Sequence, residues 1–472
     1  MQTTKCHELD YFFYARSVAV VGASSKKGKI GFEILRSMTE SDYKGEIYPI
    51  NPKEEKILGK KVYKSISEIP GNVDLAVLAI AASAVPATIE EAGKKGVRAV
   101  VIISGGFREL GEDTAKLEKE AVENAKKWKI RVIGPNCIGI FNSANSLDTF
   151  FQPREQCIRP KKGNVAILTQ SGTYGLSIME WLDENGLGVS KFVSYGNKCD
   201  VDEVDMLNYL ANDEDTKVIA IYMEGLRDGR QFFETAKKVS KKKPIVLFKT
   251  GRTSEGARAA SSHTGALAGN DGVFTGAMAQ SGIILADDID ELVDIVKILA
   301  MQPLPEGNTV GMTSNGAGPC VAATDYILRS KSLKIGEISE NTKLSLKNKL
   351  SEFCVIANPI DITGSADASW YDIAMKALAE DKNISILLPF FVFQNGPLGN
   401  TIDDLHSSLK SLCKYGKTLV CGAAGGAYTQ EQARRCKANV IPVIPTAKRA
   451  ISALDKIYVY AVWRKRNENI SL

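Results

Sequence analysis

Short apolar runs rich in valine and isoleucine alternate with longer segments of mixed polarity along the whole chain. SVAVVGAS from Ser17, VDLAVLAI from Val73, VRAVVIIS from Val97, NVAILTQSG from Asn164, VIAIYMEG from Val218 and KPIVLFKTG from Lys243 each end in small or polar residues. A strand covered by helices on both faces has this unbroken apolar pattern, because both sides of it are buried. A segment of helix length follows each run, so the expected class is α/β with parallel sheets. Two proline-bearing stretches, FQPREQCIRPKKG and MQPLPEGN, interrupt the alternation and read as linkers. They divide the chain into expected domains 1–150, 151–303 and 304–472.

The second and third blocks read as repeats of one flavodoxin-like unit. Ser171-Gly172 falls against Asn315-Gly316, GNKCDV against ANPIDI, VIAIYMEG against ISILLPFF, and KPIVLFKTGR against KTLVCGAAGG. In this match Phe390 stands where the second block has Glu224.

Composition narrows the class without deciding function. The chain has 472 residues, 44% of them hydrophobic and 24% charged, with a net charge of +5 from 60 basic and 55 acidic residues. Its lysine runs are as short as Lys241 to Lys243, which argues against a nucleic-acid face. Nine cysteines without a CxxC pair point to reduced thiols in a cytoplasm, and away from a disulfide framework or a structural zinc site. No secretory leader and no long uncharged apolar stretch is evident, so neither export nor a membrane is expected.

The first block carries a glycine-rich strand-to-helix turn, VAVVGASSKKGKIGFEIL, with Gly22, Ser24, Gly28, Lys29, Ile30 and Gly31 in it. Such a turn lets backbone approach a pyrophosphate and aims helix N–H groups at it. The next strand ends at Asn51-Pro52-Lys53, with lysine where an NAD site places an acid; this suits a phosphorylated ribose, in coenzyme A or NADP. Later strands end at Ser104-Gly105-Gly106 and Pro135-Asn136-Cys137, small or polar residues at the edge where a ligand lies. No acid, base or hydride-handling residue stands among them, so this block binds more than it reacts.

In the second block, Ser171, Gly172 and Thr173 open a helix after a strand and offer hydroxyls and N–H groups to an anion. Of three histidines, His263 alone lies among glycine, alanine and serine, in ARAASSHTGALAG, with Arg252 and Arg258 near in sequence. A neutral imidazole there suits acceptance of a phosphoryl group. Glu224, closing the strand VIAIYME, is placed to hold that imidazole in one tautomer and stabilise its cation. The third block has neither histidine nor acid at the matching places.

Taken together, VVGASSKKGKIGFEIL, INPK, IISGGF, IGPNCIG, TQSGTYG, SYGNKCDVDEVDML, MEG and SSHTGALAG resemble the α subunit of ADP-forming acetyl-CoA synthetases, in the succinyl-CoA synthetase superfamily. The resemblance implies a Rossmann-like CoA-binding domain followed by two flavodoxin-like, succinyl-CoA synthetase-like domains. It implies the reaction acyl-CoA + ADP + phosphate ⇌ carboxylic acid + CoA + ATP. Coenzyme A would meet Gly22, Ser24, Gly28 to Gly31, Lys53 and Ser104 to Gly106, with its thiol end near Asn136. Phosphate would sit at Ser171, Gly172 and Thr173, and His263 would carry the phosphoryl group, assisted by Glu224. ADP or ATP and Mg²⁺ would bind an ATP-grasp β subunit, in an α2β2 assembly, since no Walker-type sequence is present here. The alternatives are a non-catalytic CoA-binding or regulatory protein on the same scaffold, and an NADP-dependent oxidoreductase.

Overall fold

The computed structural model describes residues 7–256, 258, 270–436 and 441–468, and these form two compact units, one over 1–183 and 188–285, the other over 184–187 and 286–472. In the first unit, β1 (Ser17–Val21), α1 (Ile30–Glu40), β2 (Glu46–Ile50), β3 (Leu75–Leu78), α2 (Val85–Lys95), β4 (Ala99–Ile102), α3 (Glu112–Trp128) and β5 (Arg131–Ile133) follow in order. Their sheet is β2-β1-β3-β4-β5, parallel throughout. Every residue of β1, β3 and β4 is buried, which is why those runs are uniformly apolar. The order reverses beside β1, so a crevice opens outside the carboxyl ends of β1 and β3.

The second sheet contains β6 (Ile140–Asn142), β7 (Leu147–Asp148), β8 (Lys162–Thr169), β9 (Val189–Ser194), β10 (Val218–Met223), β11 (Ile245–Lys249) and β12 (Ile284–Ala286). Its order is β12-β11-β10-β8-β9-β6-β7. Between the strands run α4 (Gly172–Glu184), α5 (Glu203–Leu210), α6 (Gly229–Ser240) and α7 (Asp271–Ser281). The short β6 and β7 pair antiparallel at its edge, so Ile140 to Asp148 belong to this sheet and not to the first. The stretch expected as a linker is pinned: the fully buried Asp148 carboxylate takes Arg154 at 3.0 Å and Arg159 at 2.8 Å.

The second unit holds α8 (Ile289–Met301), β13 (Thr309–Ser314), α9 (Ala317–Arg329), β14 (Lys334–Ile335), β15 (Ile360–Asp361), α10 (Ala368–Glu380), β16 (Ile386–Phe390), β17 (Cys421–Gly422), β18 (Val443–Ile444) and α11 (Ala447–Glu468). The sheet runs β14-β13-β16-β17-β18, with β15 also on β13. Its central order matches the β9-β8-β10-β11 part of the second sheet, so the duplication seen in sequence is present in topology. The α11 helix packs on α8, where Arg449 holds the buried Asp294 through two bonds of 2.6 and 3.0 Å.

Hydrogen bonds correct the residue-by-residue match between the repeats. Thr169 pairs with Tyr222, and Ser314 pairs with Phe390, immediately before each helix start at Gly172 and Ala317. Gln170 therefore corresponds to Asn315, Ser171 to Gly316, and Glu224 to Val392 rather than Phe390. Likewise the N–H of Tyr195 bonds to Thr169 and that of Ile362 to Ser314, so Gly196 corresponds to Thr363. Both sit in left-handed backbone, at φ +54° and +65°. A match by shared glycines and asparagines slips these segments, because backbone pairing and not identity sets register.

Among the described residues no helix is long and apolar enough to cross a membrane. Cys137, Cys157, Cys199, Cys320, Cys354, Cys413 and Cys421 are free thiols.

Candidate active site

The glycine turn after β1 is shaped by close backbone approach. Gly22 has φ +87°, and a Cβ on Gly31 would stand 1.9 Å from the Gly22 carbonyl oxygen, so α1 can start only with glycine there. Asn51, at the end of β2, ties the two elements: its Nδ2 donates to the Ala23 carbonyl at 2.7 Å, and its Oδ1 accepts from the Lys53 N–H at 2.8 Å. Glu54, a residue the sequence reading passed over, accepts from both the N–H and the hydroxyl of Ser25. Those two bonds hold its carboxyl below the ordinary range. Lys26, Lys27, Lys29 and Lys53 are exposed around this turn, and nothing lies within 4 Å of where a Gly28 Cβ would be. A bare, basic turn at a helix N-terminus fits the phosphates of a phosphorylated nucleotide. The Gly28 N–H itself is taken by Glu33, 2.9 Å away.

A cavity of about 450 Å³ lies in the first unit and gathers residues from both its sheets. From the first come Ile30, Ser104, Gly105 and Asn136; from the second come Ser171, Gly172, Thr173 and Glu224. Gly22, Ser24, Gly28, Lys29, Gly31, Lys53 and Gly106 are outside this lining. His263 falls outside the described residues. Two loops join the sheets at the cavity floor. The N–H groups of Asn197 and Cys199 bond to the carbonyls of Pro135 and Gly134, at 2.9 and 3.0 Å. A Cβ on Gly196 would meet the Pro135 and Asn136 oxygens at 2.1 and 2.2 Å, so that loop also requires glycine.

Asn197 is fixed from the other side by two carboxylates, Glu109 at 2.6 Å and Glu118 at 3.0 Å. Burial would raise the Glu109 carboxyl, but the bonds from Asn197 and from the Gly106 and Phe107 N–H groups hold it below its ordinary value. Burial raises Glu118. Cys137 lines the cavity, yet burial pushes its thiol up to about 12, so it is no nucleophile at neutral pH.

The turn bearing Glu224 is braced on every backbone group. The Gln170 side-chain oxygen accepts from the N–H of Glu224 at 2.6 Å and of Gly225 at 2.9 Å. Lys249 donates to the Glu224 carbonyl at 3.0 Å, and the buried Lys198 to the Gly225 carbonyl at 2.7 Å. Lys198 also pairs with the buried Glu203 at 2.7 Å. The Lys198 charge is thus compensated by Glu203, and Lys249 is the second ammonium group beside the carboxylate turn. Sequence reasoning missed Gln170, Lys198 and Lys249. Only Lys249, a lysine ending a buried strand, followed the rule that flagged Lys53. Arg252, near His263 in sequence, holds Asp271 through bonds of 2.6 and 3.1 Å. Among the described residues no group of histidine, cysteine and acids has the arrangement of a metal site.

Known proteins place this geometry in a family. Residues 16–143 match the CoA binding domain, and residues 162–299 the succinyl-CoA ligase like flavodoxin domain. The α subunit of acetate–CoA ligase [ADP-forming] I from Pyrococcus furiosus is 40% identical over 98% of this chain and 99% of its own length. The acetate–CoA ligase [ADP-forming] of Methanocaldococcus jannaschii is 38% identical over 98% of this chain, which spans 64% of that protein. A solved structure of Ca. Korarchaeum cryptofilum dinucleotide forming acetyl-coenzyme A synthetase 1, in complex with phosphate and ADP, superposes with a TM-score of 0.91. It is 34% identical, with 99% of this chain and all of that one covered. These relatives support the ligase reading over the oxidoreductase and regulatory alternatives, and the chain belongs to the α-subunit family of ADP-forming acetate–CoA ligases.

Proposed function

We propose that this chain catalyses the acyl and phosphoryl transfers of an ADP-forming acyl-CoA synthetase in the cytoplasm. The observation that carries the reading is the single cavity joining Ser104, Gly105 and Asn136 to Ser171–Thr173 and Glu224. Coenzyme A, whose thiol is exchanged with phosphate at the acyl carbon, is held by Gly22, Ser24, Gly28 to Gly31, Lys53 and Ser104 to Gly106, with Asn136 at the reactive end. The bare glycine turn and its lysines support that assignment.

Ser171, Gly172 and Thr173 hold phosphate with the N–H groups that open α4. A phosphate oxygen bonds to the acyl carbon as the carbon–sulfur bond breaks, giving an acyl phosphate. An imidazole nitrogen of His263 then bonds to phosphorus, and the carboxylate leaves. Glu224, fixed by Gln170, Lys249 and Lys198, orients the imidazole and stabilises its cationic form. The phosphoryl group passes to ADP, with Mg²⁺, on a separate ATP-grasp β subunit in an α2β2 assembly. The Pyrococcus furiosus relative, named as an α subunit and matched over 99% of its length, supports a partner chain.

The test is reconstitution with an ATP-grasp partner chain, following ATP made from acetyl-CoA, ADP and phosphate, together with equilibrium binding of CoA and NADP to this chain. ATP formation that needs both chains, with CoA bound in preference to NADP, is expected. NADP binding without CoA binding contradicts the reading.

A further inference from the structure

Gln170 has more to do than brace a turn. It is 8% exposed and lines the cavity between the helix start at Ser171 and the Glu224 turn. Two backbone N–H groups, of Glu224 and Gly225, point at its Oε1, which settles the orientation of the amide. Its Nε2 therefore faces away from both, and it has no acceptor among the described residues. An amide whose oxygen is doubly satisfied while its nitrogen opens onto the cavity presents two N–H donors to whatever occupies that space.

The repeat supplies the control. Asn315, the corresponding amide, is fully buried, and its Oδ1 accepts from the Val392 N–H at 2.9 Å and the Tyr371 hydroxyl at 2.8 Å. Its Nδ2 then donates to the Val392 carbonyl at 3.1 Å. The same brace exists in both copies, but the shorter amide spends its nitrogen on the backbone and the longer one keeps it for the cavity. The cavity-facing donor is thus a feature of the copy that also carries Glu224.

We propose that the Gln170 side-chain N–H is a catalytic donor to the acyl carbonyl oxygen, binding it in the thioester and more strongly as charge develops there during attack by phosphate. This rests on the assignment of the cavity to acyl and phosphoryl transfer. Phosphate meets the N–H groups that open α4, one residue on, so the donor before them faces the neighbouring acyl group. A rigid neutral donor suits an oxygen that gains charge only in the transition state, since it need not reorganise as the charge appears.

The experiment is isotope-edited infrared spectroscopy of carbonyl-¹³C acetyl-CoA bound to the chain without phosphate, so that no turnover occurs. Wild type should shift the carbonyl band to lower frequency than in free acetyl-CoA. Gln170→Met removes donor and brace; Gln170→Glu keeps an oxygen for the two backbone N–H groups but presents an acceptor to the cavity. Both should lose most of the shift, and acetyl phosphate formation from acetyl-CoA and phosphate should fall by about 10²–10³-fold, the usual effect of deleting one such donor. A shift unchanged in both variants overturns the proposal while leaving the cavity assignment intact. Failure of wild type to bind acetyl-CoA overturns the assignment and the proposal together.

Discussion

The second and third sheets share a strand order, a helix start and a buried amide, yet they differ in the charged side chains at corresponding positions. At corresponding positions the second domain has Gln170, Glu224, Lys198 and Lys249, and the third has Asn315, Val392, Ser365 and Ala423. The frame survives in both because it is made of backbone bonds and apolar strands, which tolerate many sequences. The charges survive in one because each is expensive to bury and persists only where something offsets it. The contrast separates what the fold needs from what the chemistry needs.

Among the charges that distinguish the copies, removing the Glu224 carboxylate should have the largest consequence. Glu224→Gln keeps the backbone brace but supplies a neutral amide to the imidazole. Phosphoryl transfer through His263 is expected to fall by up to about 10⁴-fold, the range seen when a histidine's carboxylate partner is neutralised. Rapid-quench measurement of phosphoenzyme formation reads this directly, and unchanged rates would erase the functional difference between the domains.

Next comes the ion pair under the turn. Lys198→Met leaves Glu203 buried without its partner, at an expected cost of about 3–5 kcal/mol in urea unfolding at neutral pH. Burial already raises the Glu203 carboxyl, and Lys198 opposes that rise. In the variant Glu203 takes up a proton more readily, so the loss should shrink as the pH falls. Replacing both residues by apolar ones should recover much of the stability; if it does not, the pair matters for something other than mutual compensation.

A smaller effect is expected at the loop joining the two sheets of the first unit. Gly196→Ala drives a Cβ into the Pro135 and Asn136 carbonyls, and should cost about 3 kcal/mol. Thr363→Gly, at the corresponding place in the other copy, should be neutral or stabilising, because it relieves a left-handed threonine. Equal losses at both sites would mean that the loops are held alike.

The smallest effect is one of pH. The Glu109 carboxyl lies below its ordinary 4.5, so its contribution to stability is present above that value and is lost as pH falls through the lowered one. Glu109→Gln should therefore flatten the acid limb of unfolding free energy against pH. A limb as steep as in wild type would assign acid sensitivity to other groups.

Much of this was legible in the sequence. Runs such as SVAVV and VIAIYM are buried on both faces and read as parallel strands because nothing polar interrupts them. Gly31 was legible because a turn that tight admits no side chain. Ser104, Asn136 and Glu224 were found by one rule, that ligands meet the carboxyl ends of parallel strands, and Ser171 by its place at a helix start; all four line one cavity. What was hidden depends on contacts between distant segments. Lys198 reads as a surface lysine until Glu203 and the Gly225 carbonyl are placed around it. Gln170 reads as an ordinary polar residue at a strand end. The register of the repeat slipped because insertions fall between strands, where only hydrogen bonds fix equivalence. The short β6 and β7 gave no pattern long enough to assign them to the second sheet.

The central claim is that this chain carries phosphate on His263 and hands it to another chain. The most direct measurement incubates the chain with γ-³²P-ATP, Mg²⁺ and the ATP-grasp partner, then tests for protein-bound phosphate that survives alkali and is lost in acid. Wild type should label and should surrender the label to acetate in the presence of CoA, while His263→Ala should stay unlabelled. Equal labelling of the His263→Ala chain would contradict the account.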